Sequence, residues 1–377
     1  MGVEGAVLRD VIHDEHHGSG VALAAAHAMG RPSGITCTID LDAPGTSVGH
    51  LVAPWSRDES GWGNLLTPIA VIARGDGPTV LLTAGNHGDE FEGPVALRRL
   101  VAELDASDVS GRVIVVPALN QAALKVGRRH SPIDNANMNR SFPGNPTGSI
   151  TERLAHFVCV ELVRRADIVV DLHSGGTSMT FEPFVATHDL TDRHRFEETY
   201  DYLTSFGAPL AVIMREPDPI GMLDTVVEEL GKVFLTTEIG GGRTVSSRTV
   251  EIAHRGVVNT LRHAGVLDGE PDVPAPPRLV RMTDDGTCMA PVAGLFEPLV
   301  DGGEEVTAGT VVGRIHDLDD LARPPHELRA EISGLVIMRH APGLIAAGDP
   351  AASVAVDDTP PPTNAAGAAA GPPPPTG

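Results

Sequence analysis

A series of short apolar runs, each closing on polar residues, constrains this chain more than any other feature. They are Thr79-Val-Leu-Leu-Thr83, Arg112-Val-Ile-Val-Val-Pro117, Asp167-Ile-Val-Val-Asp-Leu-His173 and Val233-Phe-Leu-Thr-Thr-Glu-Ile239. Runs this short and this continuous read as strands buried on both faces. Between them the apolar spacing becomes helical. Gly93–Glu103 places Val95, Leu97, Leu100, Val101 and Leu104 on one side, and Thr151–Arg165 does the same with Leu154, Phe157, Val158 and Leu162 behind a Ser149 or Thr151 cap. Further strands are expected at Thr67–Ile72, Leu210–Met214 and Ile35–Asp40, and a last helix at Val250–Ala264. Apolar strands alternating with helices predict an α/β fold, a mixed, largely parallel sheet with helices on both faces. In such sheets ligands bind beyond the carboxyl ends of the strands.

The pattern changes at Pro271-Asp-Val-Pro-Ala-Pro-Pro277, a stiff break suited to a domain boundary. Beyond it come short strands and glycine turns with an internal echo: Met289-Ala-Pro-Val-Ala-Gly-Leu-Phe296 returns as Arg329-Ala-Glu-Ile-Ser-Gly-Leu-Val336. Matched halves predict a small all-β, barrel-like module over 279–356, similar to a lipoyl or biotinyl carrier. A carrier needs a hairpin lysine, and the chain's lysines, Lys125 and Lys232, both lie outside this stretch. Residues 1–34 lack a period and are expected to form a flexible arm. His13, His16 and His17 there could catch a metal, or simply lie in a solvated tail. Residues 357–377, rich in Pro, Ala and Gly, are expected to be disordered.

The net charge of −22 argues against nucleic acid or an anionic membrane as a partner. No apolar run approaches the roughly 18 residues of a membrane span. The 3 cysteines, Cys37, Cys159 and Cys288, are widely spaced, which fits a reducing cytoplasm and no thiolate metal cage.

Candidate chemistry gathers at the strand ends. Strand 79–83 runs into Ala84-Gly-Asn-His-Gly-Asp-Glu90, where His87 and Glu90 can converge on one cation. Strand 167–172 ends in His173, a third ligand of the same type. Two imidazoles and a carboxylate with an open water position make a catalytic zinc pattern. A turn histidine and a packed strand-end histidine are the plainer alternatives. Asp171 is a candidate to hold an imidazole from behind. The polar loop Arg128–Gly144 offers Asn139 and Arg140 for a carboxylate and Arg129 for an acyl oxygen, with Arg128 a solvated neighbour. By composition alone the loop also reads as an exposed basic surface. Glu238, before Gly240-Gly-Gly242, stands at the same sheet edge, where a carboxylate can shuttle a proton.

Together Gly85-Asn-His-Gly-Asp-Glu90, Asn139-Arg140, Asp171-Leu-His-Ser-Gly175 and Thr237-Glu238 resemble the succinylglutamate desuccinylase/aspartoacylase family, relatives of zinc carboxypeptidases. The resemblance covers about residues 35–355. It implies a zinc-carboxypeptidase-like catalytic domain over 35–270 and one Zn2+ per chain on His87, Glu90 and His173. It implies Glu238 as general base and acid, Arg129 at the oxyanion, and Asn139 with Arg140 on the substrate carboxylate. The longer loop at Ser131-Pro-Ile leaves the choice between Arg128 and Arg129 open. Trp55-Ser-Arg-Asp58, Gly61-Trp-Gly63, Ser131-Pro-Ile-Asp134, Asn139-Arg-Ser-Phe-Pro-Gly144 and Glu238-Ile-Gly-Gly-Gly242 extend the likeness. This wider likeness implies deacetylation of N-alpha-acetyl-L-2,4-diaminobutyrate, a step of ectoine degradation. Such a substrate brings a second amine, and Glu182, Asp218 and Asp224 are candidates to meet it. N-acetylaspartate, N-succinylglutamate or a peptide are rival substrates, and a metal-free small-ligand binding protein is the rival without catalysis. A homo-oligomer is compatible with all of these.

Overall fold

The strand-to-helix alternation of the sequence appears in the computed structural model as a mixed sheet with helices on both faces. Residues 32–215 and 218–360 are described. The arm over 1–31, with His13, His16 and His17, and the tail from 361 onward lie outside the described residues.

The N-terminal strands are β1 (Thr36–Cys37), β2 (Gly45–Pro54), β3 (Asn64–Arg74), β4 (Thr79–Ala84), β5 (Gly111–Val116) and β6 (Ile168–His173). After them come β7 (Met179–Phe181), β8 (Phe184–His188), β9 (Leu210–Met214), β10 (Val233–Glu238) and β11 (Arg278–Arg281). In space the order from β1 to β11 is β1-β2-β3-β5-β4-β6-β10-β8-β9-β11. The centre is parallel, β4 pairing with both β5 and β6, and β6 with β10. Antiparallel pairs flank it, β3 with β5 and β8 with β10.

The continuous apolar runs have a simple cause. Alternate residues point to opposite faces, and both faces are covered. Leu81, Ile114, Val169 and Phe234 enter one core, while Val80, Leu82, Val113, Val170 and Leu235 enter the other. The second core is roofed by α1 (Glu92–Glu103), α4 (Arg193–Ser205) and α6 (Ser247–His263). The first is roofed by α2 (Gln121–Val126), α3 (Ile150–Phe157) and α5 (Leu223–Glu229).

Several local expectations shift. In α1, Val95 is 43% exposed, and Ala96 faces the core beside Leu97 and Leu100. Helix α3 starts one residue early behind Ser149, whose side chain and Glu152 form a reciprocal cap, and it loosens into a π-helical turn over Val158–Val163. Helix α6 starts at Ser247, three residues before the expected Val250, because Ser246 and Thr249 cap it in the same way. Helix α4 carried no sequence signal. It buries only Phe196, Thr199 and Leu203, and Asp192 caps it.

The remaining strands are β12 (Thr287–Met289), β13 (Gly294–Pro298), β14 (Glu305–Val306), β15 (Val311–His316), β16 (His326–Arg329), β17 (Gly334–His340), β18 (Leu344–Ile345) and β19 (Pro350–Asp357). The echo becomes structural: β13 starts at Gly294 and β17 at Gly334, and their side chains share a core with Phe296, Val312, Val336 and Val354. One sheet of this module, β16-β15-β13-β18, stands apart. The other does not, because β11 pairs β19 and joins β17 and β19 to the main sheet. Asp357 ends β19 opposite Val280, and the Asp358 N–H donates to the Leu279 carbonyl at 3.0 Å, so the first residues of the expected tail are held against β11. Among the described residues no helix is long and apolar enough to cross a membrane.

Candidate metal centre and active-site pocket

Where β4 ends, the chain turns through Gly85 (φ 64°) and reaches α1 by way of His87 and Glu90, both buried. Gly88 lets this turn form. A Cβ there would lie 2.0 Å from the backbone carbon of Ala123, and its N–H donates to the Arg128 carbonyl at 3.0 Å. The neighbouring parallel strands set the rest by register. Thr83 lies opposite Asp171, Asp171 opposite Thr236, and His173 opposite Glu238. Side chains in register on adjacent strands share a face. Asp171, His173 and Glu238 therefore rise on one side of the carboxyl ends.

His87, Glu90 and His173 come together, with one candidate ligand atom from each lying within 4.8 Å of the others. The His87 Nδ1 is 2.7 Å from Glu90 Oε1, and the His173 Nδ1 is 2.9 Å from Glu90 Oε2. Both Nε2 atoms face oxygen acceptors: Asp171 Oδ2 at 2.8 Å from His173 and Asn137 Oδ1 at 3.2 Å from His87. This is the donor set a divalent cation needs. A protonated Nε2 donating outward leaves the Nδ1 lone pair free for metal, and oxygen acceptors behind the rings fix that tautomer. Ligand atoms about 2.0–2.2 Å from a zinc ion would have to spread only slightly from these separations. A metal fits these residues.

Asp171 is itself secured, accepting from Thr83 Oγ1 at 2.7 Å and Asn86 Nδ2 at 3.0 Å. Burial pushes the Asp171 and Glu90 carboxyls up, but the neighbouring imidazoles outweigh it and hold both below the usual carboxylate range. Burial disfavours charge on His173 too, yet Asp171 and Glu90 overcome it and raise its pKa well above the usual value. His87 goes the other way, because burial outweighs the pull of Glu90.

The cluster opens into a cavity of about 240 Å3. Arg129, Asn139, Arg140 and Glu238 line it together with His87 and His173, so of the metal-binding, catalytic and carboxylate-binding candidates only the deeper Glu90 does not reach this space. Arg129 lies 3.5 Å from Glu90 Oε1, whereas Arg128 is exposed and does not line the cavity. Asn139 is buried and accepts from the Leu223 N–H at 3.0 Å, and Arg140 donates to the Asn139 carbonyl at 2.7 Å. Of the acids offered for a second amine, Asp224 lines the cavity. Glu182 lies elsewhere, paired with Arg248 at 2.6 Å, and Asp218 is exposed.

Asn137 was not singled out from the sequence. Its loop was, and the neighbouring Asn139-Arg140 pair pointed there, but only the fold selects the asparagine whose oxygen meets His87. The apolar wall from Met179, Met214, Met222, Phe234 and Met282 carried no signal either. Each of these residues reads as ordinary core.

Residues 76–264 match the succinylglutamate desuccinylase/aspartoacylase catalytic domain. Across 86% of this chain and 96% of its own length, the N-alpha-acetyl-L-2,4-diaminobutyric acid deacetylase of Halomonas elongata is 44% identical. A product-bound structure of the ectoine utilization protein EutE (DoeB) from Ruegeria pomeroyi is 46% identical, with a TM-score of 0.85, over 86% of this chain and 99% of that one. A succinylglutamate desuccinylase/aspartoacylase structure from Rhodobacter sphaeroides, 39% identical, has a TM-score of 0.84 over 87% of this chain and 100% of its own. With the fold, the strand-end cluster and these likenesses together, the chain belongs to the succinylglutamate desuccinylase/aspartoacylase family of amide-bond hydrolases.

Proposed function

We propose that this protein is a zinc-dependent amidohydrolase that removes the acetyl group from N-alpha-acetyl-L-2,4-diaminobutyrate, a step in ectoine breakdown. The observation that carries the reading is the register of Glu238 opposite His173, beside a buried His-Glu-His cluster at the mouth of one cavity. The likeness to the Halomonas elongata deacetylase supports the choice of substrate. Residues 35–270 act as the catalytic domain and 279–356 as an accessory β module. The 3 free cysteines support a reducing, cytoplasmic setting.

His87, Glu90 and His173 would hold the ion. When bound, it supplies Lewis acidity, polarising the acyl carbonyl and making water a better nucleophile at neutral pH. Asn139 and Arg140 bind the substrate carboxylate, Arg140 through its planar fork. Arg129 steadies negative charge as it develops on the acyl oxygen. Glu238 accepts a proton from the attacking water and returns it to the departing nitrogen as the C–N bond breaks. The products are acetate and a free amine, and Glu238 ends as it began.

The test is amine release from N-acetyl-2,4-diaminobutyrate, N-acetylaspartate and N-succinylglutamate, by protein stripped with chelator and then given zinc. The first substrate should be preferred and its turnover restored by zinc. Turnover indifferent to chelator, or a preference for either acidic substrate, overturns the reading. Glu238→Gln should lower kcat by roughly 10²–10⁴-fold at unchanged zinc content. Retained turnover removes Glu238 from the chemistry.

A further inference from the structure

The cavity holds one acid that the deacylation steps leave unused. Asp171 is saturated by Thr83, Asn86 and His173, and Glu238 stands opposite the metal cluster. That leaves Asp224, in the first turn of α5, only 5% exposed yet lining the cavity. Its Oδ1 accepts from the backbone N–H and the hydroxyl of Thr225. Among the described residues, its Oδ2 has no hydrogen-bond donor and no cationic partner. The carboxylate borders the cavity, so a cation entering there can pair with its unpartnered oxygen.

The chain brings this carboxylate to the carboxylate-binding pair deliberately close. The Leu223 N–H donates to Asn139 Oδ1 at 3.0 Å, and the Phe142 N–H donates to the Gly221 carbonyl at 3.0 Å. Gly221 (φ 78°) also packs so tightly that a Cβ there would lie 2.5 Å from the Arg140 carbonyl oxygen. Residues 221–224 are thus stitched to 139–142. The cavity wall beside them is Met214, Met222 and Met282, apolar and unbranched, suited to a short methylene chain.

We infer that Asp224 is the specificity residue of the site, binding an ammonium at the end of the substrate's short aliphatic side chain. The inference rests on the deacylase reading and sharpens it: the α-carboxylate goes to Arg140 and Asn139, and the side-chain cation goes to Asp224. A neutral side chain of the same shape would leave the carboxylate buried and unmatched, which is how a site built for a polar group rejects an apolar isostere.

The experiment compares N-acetyl-L-2,4-diaminobutyrate with its uncharged isostere N-acetyl-L-norvaline on the zinc-loaded full chain. The wild type should favour the first. In Asp224→Asn, which keeps the shape and an oxygen for Thr225, the ratio of the two kcat/KM values should fall by at least about 30-fold, carried by KM for the charged substrate. Asp224→Glu, which keeps the charge, should recover part of the preference. An unchanged ratio in Asp224→Asn, or an equal fall on both substrates, overturns the inference and leaves the deacylase reading standing. A wild type that hydrolyses neither substrate overturns both.

Discussion

Replacing Asp171 by Asn should weaken zinc binding without unfolding the protein. The carboxylate is 1% exposed and takes bonds at 2.7, 2.8 and 3.0 Å from Thr83, His173 and Asn86. An asparagine can keep its oxygen where Oδ2 now accepts from His173 and Asn86. Its amide would then face Thr83, whose hydroxyl can turn to accept because the Val170 carbonyl, at 3.5 Å, can take the hydroxyl proton. Every buried group keeps a partner, so the change removes charge but not bonds. What is lost is a charged acceptor behind a metal-binding imidazole, a loss of about 10–100-fold in affinity. At 1.4 kcal/mol per tenfold that is about 1.4–2.8 kcal/mol. Asp171→Ala differs in kind. It strands the Asn86 amide and the His173 Nε2 in a dry interior at about 1–3 kcal/mol each, and the fold itself should lose stability. Competition against a chromophoric chelator reads the affinity, and thermal unfolding of the stripped protein reads the fold. An Asp171→Asn protein that binds zinc within twofold of the wild type would show that the carboxylate does not hold the ring for metal.

Zinc uptake at neutral pH should release a proton from His173, whose pKa the Asp171 and Glu90 carboxylates raise against burial. Calorimetry in buffers of differing ionisation enthalpy counts it, and a count of zero refutes the assignment. In stripped protein the raised His173 pKa contributes stability that is complete below about 6.5 and lost as pH climbs through the folded value. Metal affinity should run oppositely and rise over the same interval. Asp134 accepts from the Thr151 N–H at 2.9 Å and from its hydroxyl at 2.8 Å, and these bonds, with help from Ser149 and Ser131, outweigh burial and hold it below the usual carboxylate range. Asp134→Ala should cost about 1 kcal/mol at pH 7 by thermal unfolding. A depressed pKa contributes above about 3.9 and fades as pH falls through the folded value, so a penalty undiminished at pH 3 would contradict this account.

The parallel centre of the sheet was legible because burial on both faces demands consecutive apolar residues through the middle of β4, β5 and β6 and the start of β10. The polar residues that end these runs, such as Asp171 and His173, stay buried and gather at the carboxyl ends of the strands. His87, Glu90, His173 and Glu238 were legible for the same reason. They are imidazoles and carboxylates at or just past the carboxyl ends of β4, β6 and β10, and family likeness gave them roles. Helix α4 was not legible, since it buries only three residues and one of them, Thr199, is polar. Nor was the junction of the β module with the main sheet. Pro271–Pro277 signals a break in the chain, but β11 pairs with β9 and β19 through backbone groups that no side-chain pattern reports. Asp224 could be proposed among three acids but not chosen. Choosing it required knowing that α5 packs its start against Asn139, a contact 84 residues apart in sequence.

The site divides between two kinds of support. His173, Asp171 and Glu238 stand on adjacent hydrogen-bonded strands, where register fixes them relative to one another. Loop motion cannot separate Glu238 from His173 without breaking the sheet. Arg129, Asn139 and Arg140 come from the loop before α3, and Asp224 from the short helix docked on it. Rigid strands suit the reacting atoms, for which a misplacement of about 1 Å can cost 10²-fold in rate. In the proposed binding mode the loop and its docked helix would meet only the ends of the substrate, its carboxylate and its side chain. Substitution there can change which N-acyl amino acid is accepted while the hydrolytic geometry stays intact. Breaking the Leu223–Asn139 contact with Asn139→Ala tests this division. It should raise KM for N-acetyl-2,4-diaminobutyrate by more than it lowers kcat, with zinc content unaltered. A loss of zinc would mean that the two halves of the site are mechanically one.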